Sequence, residues 1–256
     1  MTAFLFAKYH GAGNDFILID DRHELFPCAD QNYIEFLCKR HLGIGADGVI
    51  LFQNSEKADL RVRIFNADGL EADMCGNGLR CAYDLASNLG LVQSRAILET
   101  AQRVVSCEKK DEDICVDLGP YEWIHQNLQI SPLHFQVIHT GVPHAVAFVE
   151  NHDLFASIAP EMRFHPLMGP AGANVSFAVM KDGKLYTRTC ERGVGETMAC
   201  GSGAAAIAIA AQQKYGLSNS VTIVPRSQEE LKVHISSSSV QLLGKANFVF
   251  QGLINY

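Results

Sequence analysis

A four-residue phrase, Cys-Gly-x-Gly, occurs twice in this chain, at Cys75-Gly76-Asn77-Gly78 and at Cys200-Gly201-Ser202-Gly203. The copies lie 125 residues apart in a chain of 256. At the same offset Arg63 falls on Arg188 and Glu71 on Glu196, and the glycines closing the next helical segments, Gly90 and Gly216, agree within one residue. A strand, a glycine turn, Cys-Gly-x-Gly and a helix thus recur in one order. That is the mark of a duplicated domain with a pseudo-twofold axis.

The second helix narrows the fold further. From Gly201 it reads Gly-Ser-Gly-Ala-Ala-Ala-Ile-Ala-Ile-Ala-Ala. It is apolar on every face, so every face must be buried. Its small side chains let strands approach closely, which calls for a curved sheet around the helix. Elsewhere, periodicity predicts strands at 4–9, 16–19, 49–52 and 60–65, two or three more within 96–118, and helices over 30–42 and 77–88. In the second half it predicts strands at 135–140, 145–149, 175–180, 184–190, 221–225, 231–235, 240–243 and 248–253. A short helix near 153–160 and the apolar helix ending near Tyr215 complete the pattern. Pro120 to Pro132 reads as a connector. Gly43-Ile-Gly45-Ala-Asp-Gly48 matches Gly-x-Gly-x-x-Gly but follows a helix and opens a strand, the reverse of a dinucleotide-binding turn.

Composition removes several function classes. The net charge is −7 with no basic block, whereas a sequence-independent grip on nucleic acid needs a lysine- and arginine-rich face. No nucleic-acid partner is expected. The longest apolar run, Ala204 to Ala211, is far short of the ~20 residues of a membrane span, and Lys8 comes too early for a signal peptide. A soluble cytoplasmic protein with a small polar ligand is expected, with no membrane partner. The eight cysteines, Cys28, Cys38, Cys75, Cys81, Cys107, Cys115, Cys190 and Cys200, include no Cys-x-x-Cys pair or zinc-finger spacing, so no metal is expected. Most read as buried apolar thiols.

Cys75 and Cys200 differ because each stands at a helix start. The unsatisfied N–H groups there carry about half a positive charge, which eases ionisation of a thiol. The adjacent glycines leave N–H groups uncovered for an anion such as a carboxylate. If two such starts face one substrate carbon, they hold its carboxylate and stabilise the enediolate formed when Cα–H is lost. One thiolate then removes the proton and the other thiol delivers one to the opposite face, giving inversion without a cofactor. Three alternatives stay open on the residues alone: two structural thiols, a regulatory disulfide, and a cysteine nucleophile of the protease kind.

The chain resembles the diaminopimelate epimerase family in seven pieces that occur in order: His10-Gly-Ala-Gly-Asn-Asp-Phe16, Arg40-His-Leu-Gly-Ile-Gly-Ala-Asp47, Arg63-Ile-Phe-Asn-Ala-Asp-Gly69, Cys75-Gly-Asn-Gly78, Pro143-His144, Asn174-Val175 and Glu191-Arg-Gly-Val-Gly-Glu-Thr-Met-Ala-Cys-Gly-Ser-Gly203. The resemblance implies an α/β (α+β) fold of two pseudo-twofold-related domains. Each is a central helix wrapped by a curved, mostly antiparallel sheet, with the active site in the interdomain cleft. The implied domains are 1–118 plus 245–256, carrying Cys75, and 119–244, carrying Cys200. The implied activity is interconversion of LL- and meso-diaminopimelate in lysine and peptidoglycan-precursor synthesis, without pyridoxal phosphate or another cofactor. Cys75 and Cys200 become the catalytic pair. Asn14, Asn66, Gly76, Asn77, Asn174, Glu191, Arg192, Gly201 and Ser202 become substrate-binding residues, with His144 in support. A homodimer is a further expectation.

Three positions depart from the family pattern. Val142 replaces the usual asparagine before Pro-His, Gly48 replaces the usual glutamine after Gly-Ala-Asp, and Pro225-Arg226-Ser227-Gln228 lacks the usual Gly-Gly. Lost hydrogen-bonding groups weaken rejection of substrates that lack a partner for them. Relaxed specificity toward simpler amino acids such as glutamate is therefore expected. The competing functions are a racemase of glutamate or proline and a non-catalytic amino-acid-binding protein. A phenazine-type isomerase shares the fold but lacks the cysteine pair.

Overall fold

The computed structural model describes residues 2–130 and 132–256. The chain divides into two compact units, Met1–Val116 with Gly244–Tyr256, and Asp117–Leu243. The first contains β1 (Ala3–Gly11), β2 (Asn14–Asp20), α1 (Gln31–Cys38), β3 (Gly48–Gln53), β4 (Leu60–Asn66), β5 (Glu71–Ala72), α2 (Gly76–Asn88), β6 (Arg95–Glu99), β7 (Val104–Lys110) and β8 (Asp113–Asp117). The last strand, β18 (Asn247–Asn255), returns to it. The second contains β9 (Glu122–Ile130), β10 (Leu133–His139), β11 (Pro143–Phe148), α3 (Phe155–Met162), β12 (Asn174–Lys181), β13 (Lys184–Glu191), β14 (Gly195–Thr197), α4 (Gly201–Tyr215), β15 (Ser220–Val224), β16 (Leu231–Ile235) and β17 (Val240–Gly244).

The two units share one topology. In the first, the strand row is β18-β1-β2-β3-β4-β6-β7-β8, with β5 on β4. In the second it is β9-β10-β11-β12-β13-β15-β16-β17, with β14 on β13. Parallel pairs occur at equivalent places, β2–β3 with β11–β12 and β4–β6 with β13–β15. The other pairings in each row are antiparallel. The chain's last strand holds the place in the first unit that β9 holds in the second.

Each sheet curves around its central helix. In the second unit α4 touches β10, β11 and β12 as well as β15 and β16, so strands far apart in the row meet on one helix. Ala204 through Ala211 are all buried, as an all-apolar helix of small residues requires. In the first unit α2 touches β1 through β4 and β7. A smaller helix covers another part of each sheet. Ile34 and Leu37 of α1 join Phe4, Phe6, Ile17 and Phe26, and Phe155, Ala159 and Met162 of α3 join Phe135, Val175 and Phe177.

Three expectations need correction. The stretch 120–132 contains β9, whose Trp123 lies opposite Ile138 and Leu128 opposite Phe135. The polar run His125-Gln126-Asn127 and the register shifts of this pairing hide the two-residue period. Helix α1 stops at Cys38, earlier than 42, because the following loop folds back onto it. The N–H groups of Gly43, Gly45 and Ala46 donate to the carbonyls of Lys39, Leu37 and Cys38, supplying partners to the helix end. A Cβ at Gly43 would lie 2.1 Å from the Phe36 carbonyl oxygen, so this return requires glycine. Finally, α3 is displaced toward the C-terminus and carries Pro160 inside it.

Candidate active site

The repeated phrase becomes a repeated helix start. Cys75 is the N-cap of α2 and Cys200 the N-cap of α4, both with extended backbone, φ −139° and −123°. In each unit the sulfur accepts the N–H three residues on, from Gly78 and from Gly203, at 3.4 Å. Sulfur thus takes the place of the usual serine or aspartate oxygen. A thiolate would be the stronger acceptor, so this contact favours ionisation.

The arginine and glutamate of the repeat are partners. Arg63 grips Glu71 with Nε at 2.9 Å and Nη2 at 2.7 Å. Arg188 grips Glu196 with Nε at 2.7 Å and Nη2 at 2.9 Å. Each bidentate pair ties a central strand to the short strand just before the cysteine, β4 to β5 and β13 to β14. The equivalent backbone pairings are Phe65 with Glu71 and Cys190 with Glu196. These pairs fix where the chain enters each cysteine.

In the first unit Asn14, at the start of β2, meets this helix start. Its Oδ1 accepts from Cys75 Sγ at 3.5 Å and from Asn77 Nδ2 at 3.3 Å. Gly76 and Asn77 are buried in the first turn of α2. Asn66 is exposed at the end of β4, opposite Gly48, and its backbone closes the 66–70 turn. A Cβ at Gly48 would lie 2.3 Å from the Phe65 carbonyl oxygen. The local backbone therefore has no room for the side chain usual at that position.

In the second unit more of the expected residues converge. Cys200 Sγ donates to Glu191 Oε2 at 3.1 Å, and Glu191 Oε1 accepts from Thr197 Oγ1 at 2.6 Å. The Glu191 carbonyl accepts from Arg163 Nη1 at 2.7 Å. Ser202 Oγ lies 3.6 Å from Cys200 Sγ and 3.0 Å from His144 Nε2. Asn174, beside His144 in the β11–β12 register, accepts the Arg192 N–H with its Oδ1 at 2.8 Å. The Arg192 side chain reaches the Ala171 carbonyl at 3.4 Å. Gly201 is buried and Ser202 half-buried.

Charge tunes these groups. Burial and then the Glu191 carboxylate push the Cys200 thiol well above its ordinary range; the Ser202 hydroxyl and the Gly203 N–H pull the other way. The helix start alone predicts easier ionisation, and here burial and Glu191 outweigh it. His144 is fully buried, and burial, with Arg192 and His139 nearby, lowers it to about 3. It is a neutral imidazole at pH 7. Its Nδ1 has no partner among the described residues. A buried lone pair without a partner costs less than a buried N–H without one, so Nε2 carries the proton and donates to Ser202 Oγ. The Ser202 hydroxyl hydrogen is then available to an anion.

Three supporting residues escaped the sequence reading. Thr197 holds Glu191. Thr140, 2% exposed, donates to the Ser202 carbonyl at 3.0 Å. Asp47 accepts the Asn14 amide at 2.8 Å. Asp47 and Thr197 fall within motifs that carry the family resemblance, whereas nothing in the sequence singles out Thr140. The other cysteines are buried except half-buried Cys28, whose sulfur accepts from Arg63 Nη1 at 3.1 Å. Burial pushes Cys38 and Cys81 up to about 12. Among the described residues no cluster of three or more His, Cys, Asp or Glu side chains could hold a metal ion. None of their helices is long and apolar enough to cross a membrane.

Comparison with known proteins adds an independent line. The family model for diaminopimelate epimerase matches residues 6–124 and 136–249. A diaminopimelate epimerase of Hydrogenobaculum sp. is 38% identical, covering 98% of this chain and 99% of the relative. One of Archaeoglobus fulgidus is 34% identical over 97% and 95%. The fold is also that of a phenazine biosynthesis protein of the PhzF family from Bacillus anthracis (TM-score 0.80, 16% identity, all of both chains). A hydroxyproline epimerase from Agrobacterium vitis shares it too (TM-score 0.73, 16% identity, 98% and 92%). With one family model spanning both cysteine helices and relatives matched over nearly their full length, the chain belongs to the diaminopimelate epimerase family.

Proposed function

We propose that this chain is a cofactor-independent epimerase that converts LL-diaminopimelate to meso-diaminopimelate by a two-base mechanism. The observation that carries the reading is the paired helix start. Cys75 and Cys200 are both N-caps, each followed by glycines that bare the backbone N–H groups. Gly76, Asn77, Gly201 and Ser202 hold the reacting carboxylate, while Asn14, Asn66, Asn174, Glu191 and Arg192 bind the remainder of the substrate. One sulfur, as thiolate, takes the Cα proton and becomes a thiol. The electron pair moves into the carboxylate as an enediolate, which the helix-start N–H groups stabilise. The other sulfur, as thiol, gives its proton to the opposite face and leaves as a thiolate. Glu191, accepting the Cys200 thiol hydrogen, takes that proton when Cys200 serves as base and returns it in the reverse direction. His144 keeps the Ser202 hydroxyl turned to the carboxylate.

Gly48, Val142 and the 225–228 turn support relaxed reading of the far end of the substrate, with slow racemisation of glutamate as its consequence. A proline or glutamate racemase is the competing reading on the same ground. Chiral chromatography of diaminopimelate, glutamate, aspartate and proline incubated with the protein tests both. Rapid interconversion of the diaminopimelate isomers with slow glutamate turnover is expected. Diaminopimelate turnover with no change in glutamate or aspartate contradicts relaxed specificity, and faster turnover of a simpler amino acid favours the racemase. The reading also includes a cytoplasmic location, consistent with eight free thiols. It includes a homodimer through β18, which exposes Phe248, Val249, Phe250 and Leu253. Sedimentation giving a monomer at micromolar concentration contradicts the dimer.

A further inference from the structure

The contact between Asn14 and Asp47 decides what Cys75 meets. An asparagine amide has two unlike ends, a carbonyl that accepts and an NH₂ that donates, and its orientation follows from its partners. Here one partner leaves no choice. A carboxylate only accepts, and Asp47 Oδ2 lies 2.8 Å from Asn14 Nδ2. The donor end of Asn14 therefore rests on Asp47, and its oxygen faces Cys75 Sγ at 3.5 Å. Asn77 Nδ2, donating to the same oxygen at 3.3 Å, agrees with this orientation.

Asp47 is itself held from several sides. Its Oδ1 accepts from Arg40 Nη2 at 2.7 Å and its Oδ2 from the Asp15 N–H at 3.2 Å. The Asp47 N–H donates to the Asp15 carbonyl at 2.9 Å. Arg40 also grips both oxygens of Asp15, which pairs in addition with buried Lys8. The loop after α1 is thereby fixed to the start of β2.

We propose that Asp47 is a positioning residue: by holding the NH₂ of Asn14 it keeps the amide oxygen on Cys75, so that the resting enzyme favours Cys75 as a thiol donor over a thiolate. A thiol can donate to that oxygen, whereas a thiolate meets its lone pairs. The arrangement opposes the pull of the Gly78 N–H. In the second unit Glu191 opposes ionisation of Cys200 in a parallel way, with a different group. Among the charged groups of the first unit, Asp47 touches Asn14 directly and is linked through Arg40 to Asp15 and Lys8; Arg80, Cys81 and Asp84 lie on α2. The catalytic meaning of this assignment rests on the epimerase reading, but its measurement does not.

The test is site-resolved alkylation of Cys75 by iodoacetamide, followed by peptide mass spectrometry across about pH 6 to 10, in the full chain. In Asp47→Asn the new amide offers either end, so Asn14 is free to turn. The alkylation midpoint should fall by about one pH unit, a tenfold gain in thiolate below the midpoint. Asn14→Ala should shift it in the same direction, and Asp47→Asn should add nothing in the Asn14→Ala background. An unchanged midpoint in Asp47→Asn overturns the proposal. So does a shift that persists without Asn14, which would reflect loss of the Asp47 charge acting directly. If Asp47→Asn does not fold, Asp47→Ser takes its place, since a hydroxyl can donate as well as accept and so leaves the Asn14 amide free to turn: a lowered midpoint that vanishes in the Asn14→Ala background supports the proposal and an unchanged one overturns it. Because alkylation needs no turnover, an inactive wild type would count against the epimerase reading and not against Asp47.

Discussion

His144 makes folding depend on pH in a way that can be isolated. In the fold it is fully buried and lowered to about 3, while in the unfolded chain a histidine titrates near 6.5. Above about pH 6.5 both states carry it neutral, and its contribution does not vary. As pH falls from there toward about 3, only the unfolded chain takes up the proton, so the second unit loses stability. The loss approaches 1.4 kcal/mol per pH unit. Between pH 7 and pH 5 it sums to about 2 kcal/mol. The chain's one tryptophan, Trp123, lies in β9 of the same unit, so urea unfolding followed by tryptophan fluorescence reports on that unit. Wild type and His144→Gln are compared at both pH values. The glutamine keeps a donor for Ser202 but cannot ionise. Its loss between pH 7 and pH 5 should be smaller than that of wild type by about 2 kcal/mol. Carboxylates that also respond to acid, such as Glu196, which Arg188 holds below its ordinary range, contribute equally to both proteins and cancel. Identical pH dependence in the two would refute the placement of a neutral, buried His144 behind Ser202.

Other outcomes follow from the same geometry. In Glu191→Gln the charge that opposes ionisation of Cys200 is gone, so the Cys200 alkylation midpoint should move to lower pH, and epimerisation should slow because the thiol loses its proton acceptor. An unmoved midpoint contradicts the assignment. Gly203→Ala would put a Cβ 3.2 Å from Cys200 Sγ, displacing the sulfur by a few tenths of an ångström. Epimerase turnover should fall by about tenfold or more, with thermal stability nearly unchanged. Gly48→Gln, which restores the usual family residue, should lower the melting temperature and not sharpen specificity, because its Cβ meets the Phe65 carbonyl. A stable Gly48→Gln protein that rejects glutamate better than wild type would contradict this.

Much of the fold was legible because duplication exposes what each unit must keep. The recurrence of Arg63 and Glu71 as Arg188 and Glu196 marks the duplication in the sequence; that each couple is an ion pair emerges only in the fold. The all-apolar stretch after Cys200 required a helix enclosed by strands. What stayed hidden lacks local periodicity. β5 and β14 span two and three residues, too few to show alternation. β9 is polar where an alternating strand would be apolar. Within the candidate site, the cysteines and glycines could be read because a helix start gives them a physical role at fixed spacing. Asp47 acts on Asn14 across 33 residues, and Thr140 acts on Ser202 across 62. Such contacts depend on which strands become neighbours, and no spacing rule records that.

The central claim is that Cys75 and Cys200 act as two bases on one Cα. The direct measurement is solvent-deuterium incorporation at Cα of diaminopimelate in D₂O, in wild type, Cys75→Ala and Cys200→Ala. A two-base enzyme places deuterium in the inverted product while the unreacted substrate keeps its hydrogen at early times. Each alanine variant should abolish inversion. Wild type that inverts the centre without taking up deuterium, or either variant that still inverts it at a rate near wild type, would contradict the account.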